Sequence, residues 1–125
     1  MLVFDTTGAN AFRDQLLAAK LGVPLVPIWI TSGSQVTRSG PNVNVPKQEL
    51  IMNLESLFRN GQIEVAAGCP AAGELRKELT AFERSASAAG RETFSGKAGV
   101  HDDLVMAVAM AAWRAVDQHK SAFSM

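Results

Sequence analysis

Apolar residues fall into short blocks along this chain, and the spacing inside each block predicts an element. Leu2-Val3-Phe4 is a brief apolar run closed by Asp5-Thr6-Thr7-Gly8, which predicts a buried strand ending in a turn. From Ala9 to Leu21 the apolar Phe12, Leu16 and Leu17 recur on one helical face, and Gly22 with Pro24 stops the segment. Leu25 to Ile30 is apolar throughout apart from Pro27, the pattern of a strand covered on both faces. Pro27 has no N–H to donate, so it is expected at an unpaired position or a bulge. Thr31 to Val45 is polar and rich in Ser, Gly and Asn, and reads as a long functional connection.

Pro46 suits a first helical turn, where its fixed φ fits and its missing N–H is not needed. Behind it Leu50, Ile51, Leu54, Leu57 and Phe58 form the clearest amphipathic stripe in the chain, and Gly61 ends it. Gln62 to Ala66 reads as a short strand through Ile63 and Val65. Leu75, Leu79 and Phe82 repeat the helical stripe after Gly68-Cys69-Pro70. Ser85 to Gly96 has no stripe, and its central Ala-Gly suggests a hairpin. His101 to His119 is a helix whose expected buried face is Leu104, Val105, Val108, Ala112 and Val116. Strand, helix, strand, helix, strand, helix, helix is the grammar of an α/β fold with right-handed crossovers and a mainly parallel sheet flanked by helices.

The length, 125 residues, allows one domain spanning 1–125 with an ordinary core. With 47% hydrophobic and 19% charged residues, disordered and collagen-like chains are excluded. Twelve basic and twelve acidic residues cancel, which argues against a strongly basic nucleic-acid module but leaves room for a local patch. The single cysteine, Cys69, rules out an internal disulfide or a multi-cysteine zinc site and reads as a small apolar filler. No apolar run nears the ~18 residues of a membrane span, and MLVFDTTGAN is no signal peptide, so a cytoplasmic setting is expected.

Two places carry candidate chemistry. Asp5 closes the first strand, where α/β proteins place ligand groups, and it reads equally well as a helix cap. His101-Asp102-Asp103 opens the last helix, and acidic residues there are favoured by the helix dipole alone. That helix is apolar and small-residue-rich behind the pair, so its start is expected close to the sheet. Carboxylates gathered there with Asp5 would repel by several kcal/mol at an effective dielectric of about 20. A divalent cation relieves that repulsion, and hard oxygen donors suit Mg²⁺ or Mn²⁺.

Other features are weaker. Gly90 to Lys97 resembles a phosphate loop, but its glycine spacing is one too long, and Ala98 stands where Ser or Thr is required. His119 sits at a helix end that favours a cation, and Trp29 and Trp113 read as core. Arg38 and Lys47 flank the polar loop, which reads first as a solvated loop, and they are the candidate phosphate contacts if nucleic acid binds.

Taken in order, LVFDTTGAN, VPLVPIWIT, VPKQELIMNLESLFRNGQIEV, ELRKELTAF and GVHDDLVMAVAMAAW resemble the C-terminal nuclease domain of phage terminase large subunits. HDDLVMAVAMA is the most specific piece and VPK before an apolar helix the next. The resemblance implies a ribonuclease H-like three-layer fold and metal-dependent cutting of double-stranded DNA during genome packaging, in a bacterial host's cytoplasm. It implies Mg²⁺ or Mn²⁺ in a two-ion site, with Asp5, Asp102 and Asp103 as catalytic ligands and His101 in a supporting place. Double-stranded DNA and other phage packaging proteins are the implied partners, and no membrane.

One departure shapes the expectation. The family's domain opens with three antiparallel strands, the first bearing a further aspartate, and this chain begins at what matches the fourth. The expected fold is therefore truncated at the N-terminus, with weak or no cutting. The first strand would have an unpaired edge, through which a homo-oligomer is expected. A non-catalytic DNA-binding or assembly role is the alternative, and a phosphate-binding domain at the Gly8 turn a weaker third.

Overall fold

The computed structural model describes residues 1–89 and 102–123. The elements are β1 (Leu2–Asp5), α1 (Asn10–Ala18), β2 (Leu25–Thr31), β3 (Thr37–Ser39), β4 (Asn42–Pro46), α2 (Lys47–Arg59), α3 (Ala72–Ala89) and α4 (Asp103–Phe123). The four strands form one sheet in the order β1-β2-β4-β3. β1 and β4 run parallel to β2, while β3 runs antiparallel to β4. The fold is α/β as expected, but the sheet is mixed and not mainly parallel.

That difference arises in the segment read as a loop. Ser39 pairs with Asn42 across the two residues Gly40 and Pro41, and Gly40 has φ 58°. A glycine free to take positive φ is what so short a hairpin loop demands. β4 follows as Asn42-Val43-Asn44-Val45, whose alternation is itself a strand signal, and Val45 is fully buried. The strand expected over Gln62 to Ala66 is irregular chain. Ile63 packs on the core there while Val65 is exposed, and no strand pairs with them among the described residues.

Side-chain alternation and register define the two faces of the sheet. Val3 pairs with Val26, Asp5 with Ile28, Ile28 with Val43, and Ile30 with Val45, so all of these share one face. Val26, Ile28, Val43 and Val45 are buried there beneath Leu50, Ile51 and Leu54 of α2, Leu75 and Phe82 of α3, and α4. The buried face of α4 is Val105, Met106, Ala109, Met110 and Trp113, rotated from the stripe expected; Leu104, Val108 and Ala112 lie at its flanks. Phe4 faces the other way and meets Phe12 of α1 edge-on, with ring centroids 6.3 Å apart.

α1 is shorter than expected and buries no residue. Of the stripe expected from Phe12, Leu16 and Leu17, only Leu16 is partly covered, together with Arg13, while Phe12 and Leu17 are 50% and 40% exposed. α2 begins at Lys47, with Pro46 as the last residue of β4 and not in the first helical turn. Gly61, φ 64°, closes it after Arg59: the Gln62 N–H donates to the Leu57 carbonyl and the Gly61 N–H to that of Phe58. This closure satisfies two orphan carbonyls and needs the left-handed conformation glycine adopts freely. α3 runs through Ser85–Ala89, so the hairpin expected from Ser85 does not begin there; its remainder lies outside the described residues.

Candidate functional site

β1, β2 and β4 point the same way, so their carboxyl ends share one edge of the sheet. Asp5 closes β1 at that edge, exposed, and its register with Ile28 places it on the face covered by α4. α4 packs against β1. The Asp5 carboxylate is already bonded locally: Oδ1 accepts the Thr7 N–H at 2.8 Å and the Thr7 hydroxyl at 2.6 Å. Thr7 Oγ1 in turn accepts the Ile30 N–H at 2.8 Å, and the Thr6 N–H donates to the Ile28 carbonyl at 2.8 Å. Asp5 therefore braces the turn that ties β1 to β2. It does not cap α1, whose N-cap is Ala9 with no side-chain bond.

At the start of α4, Asp102 stands in the N-cap place and its carbonyl accepts the Met106 N–H. Its carboxylate lies 3.5 Å from Lys47 Nζ, both side chains about two-thirds buried (33% and 29% exposed). Lys47 opens α2, where a cation opposes the helix dipole, so Asp102 supplies the counter-charge that the position lacks. The ammonium also sits over the Phe82 ring, 5.9 Å from its centroid. Asp103 is exposed in the first turn. His101 lies outside the described residues.

One participant escaped the sequence reading. Glu78 of α3 accepts the Val105 N–H at 2.9 Å through Oε2, satisfying one of the orphan donors of α4. The signal was present: Glu78 lies three residues after Leu75 and four before Phe82, an acid inside an apolar stripe. It fixes the end of the helix that carries Asp102 and Asp103.

The oxygen donors are of the kind Mg²⁺ and Mn²⁺ take. They are not assembled, however: among the described residues no group of three or more His, Cys, Asp or Glu side chains could hold a metal ion. Asp5 is turned to Thr7 and Asp102 to Lys47, so the candidate ligands share an edge of the sheet without forming a ligand set.

The remaining candidates are placed as follows. Arg38 is exposed on β3, in register with Val43, while Lys47 is held by Asp102. Trp113 is buried and donates through Nε1 to Glu49, and Trp29 is only partly covered. Cys69 is exposed, which corrects its reading as an apolar filler. No helix among the described residues is long and apolar enough to cross a membrane. Compared with protein-family models, curated proteins and solved structures, the chain finds no match.

Proposed function

We propose that this chain is a ribonuclease H-like nuclease domain of the phage terminase type, acting on double-stranded DNA with a divalent metal and with low activity of its own. The observation that carries the reading is the arrangement at one sheet edge. Asp5 ends β1 on the face that α4 covers, and α4 opens with Asp102 and Asp103. In this reading those three carboxylates are the ion ligands, and Arg38 and Lys47 are the contacts to phosphate. Because three ligands are not drawn together among the described residues, one weakly held ion is the most this arrangement supports. Two ions held about 3.5–4 Å apart are what rapid phosphodiester cleavage draws on.

The Lys47–Asp102 pair favours a second reading, a non-catalytic DNA-binding or assembly module: an ammonium already balances the carboxylate that would hold the ion. Supercoiled-plasmid nicking separates the two. Slow nicking that needs Mn²⁺ and disappears in Asp103→Ala supports the nuclease reading. DNA retention in a mobility-shift assay, with no Mn²⁺-dependent nicking, overturns it in favour of the second.

A further inference from the structure

The seam between α2 and α4 changes character along its length. The buried face of α4, which ends in Met110 and Trp113, continues at helical spacing as Val116, Asp117 and Lys120. There the apolar partners run out. α2 turns Leu50, Ile51 and Leu54 to the core and leaves Glu49 and Asn53, one turn apart, on its flank. Between these two, the end of α4 and Val36 of the β2–β3 connection lies an open cleft of about 110 Å³.

The cleft holds charges of both signs that do not neutralise one another. Trp113 Nε1 donates to Glu49 Oε1, and Arg114 Nη1 to Asp117 Oδ2, each at 3.4 Å. Those bonds are long, and each carboxylate keeps acceptor sites to spare. Lys120 has no ion-pair partner among the described residues. Asn53 Nδ2 is buried and has no acceptor there. A buried amide donor left unpaired is costly, so an acceptor is what this position calls for. Glu49 meets Trp113 at one end, whereas Lys120 stands seven residues, about 10 Å of helix, beyond it. On each helix the acid precedes the donor by one turn: Glu49 before Asn53, and Asp117 before Lys120.

We infer that this cleft binds a small zwitterion, a free α-amino acid with a small side chain. Its ammonium meets Glu49 and Asp117, and its carboxylate meets Lys120 and the Asn53 amide. A plain carboxylate would face the two acids as like charges. A plain amine would leave Lys120 and the Asn53 donor unanswered. The volume lies well below the ~300 Å³ at which pockets for drug-sized ligands begin. The ligand therefore has few heavy atoms and carries its two charges close together. The site shares no residue with Asp5, Asp102, Asp103, Arg38 or Lys47, and it stands whether or not the nuclease reading does.

Titrating isotope-labelled protein with L-alanine to about 50 mM, a range suited to ligands of about six heavy atoms, tests this by NMR. The expected result is a saturable shift of the Trp113 indole and Asn53 amide signals, with the Trp29 indole unmoved. Acetate and methylammonium, each half of the zwitterion, should bind weaker by about tenfold or more, the effect of losing a hydrogen bond to a charged group. Asn53→Asp, which turns the donor into a negative acceptor, and Lys120→Met should each weaken L-alanine binding by about as much. Lys120 is exposed, so its variant keeps the test valid if Asn53→Asp does not fold. No saturable shift, the outcome if water alone fills the cleft, overturns the inference. So does acetate or methylammonium binding as well as L-alanine, or L-alanine binding that either folded variant leaves intact.

Discussion

Replacing Glu78 with alanine removes a side chain of α3 that anchors the start of α4. Its carboxylate accepts the Val105 N–H at 2.9 Å in a partly buried setting. A hydrogen bond to a charged acceptor contributes about 1.5–3 kcal/mol when shielded, and partial exposure lowers that. A negative charge beside a helix N-terminus adds about 0.3–1 kcal/mol. Glu78→Ala should therefore cost about 1–2 kcal/mol. Glu78→Gln keeps an acceptor oxygen and loses only the charge, so it should cost about half as much. For a chain of this length, near 2.1 cal/mol/K of unfolding entropy per residue makes 1 kcal/mol worth about 4 °C in Tm. Urea titration followed by circular dichroism, backed by a thermal melt, measures both variants. A loss under about 0.3 kcal/mol for Glu78→Ala would refute the anchoring role, as would a glutamine variant as damaged as the alanine one.

Other positions give sharper local tests. Ile28 is completely buried at the centre of the sheet, so Ile28→Ala should cost about 2–5 kcal/mol in urea unfolding. Gly61→Ala forces a Cβ into φ 64° and should cost roughly 1 kcal/mol, with the m-value unchanged. Asp5→Asn keeps the oxygen that Thr7 bonds and should leave the melting curve unmoved. Asp5→Ala loses that turn and should cost about 0.5–2 kcal/mol, the range measured for comparable side-chain-to-backbone caps. Equal losses in the two Asp5 variants would mean the carboxylate charge, not the turn, matters for stability.

The sequence announced those parts of the fold whose burial follows a simple period. The α2 stripe, the β2 run and the existence of α4 are set by local apolar spacing, and the structure has all three. The β3–β4 hairpin was hidden because β3 is Thr-Arg-Ser with no apolar residue, so its pairing rests on backbone bonds and on the Gly40 turn, whereas the alternation of Val43 and Val45 in β4 was a strand signal that the reading missed. α1 misled in the opposite sense. Phe12 and Leu17 look like core at helical spacing, yet a stripe predicts burial only where something packs on it. At the candidate site the types and edge positions of Asp5, Asp102 and Asp103 were legible. Their local bonds to Thr7 and Lys47 were not, because those depend on how α2 and α4 meet and on a turn two residues long. Glu78 was overlooked for the same reason: its partner is a backbone N–H 27 residues away.

Calorimetric titration of Mn²⁺ into the wild-type chain, Asp5→Asn and Asp102→Asn bears most directly on whether carboxylates from β1 and α4 act on a common ion. Weak binding to the wild type that vanishes in both variants, with their folds intact, is the outcome expected. Heat equal to that of buffer in the wild type, or binding that survives Asp5→Asn unchanged, would contradict it.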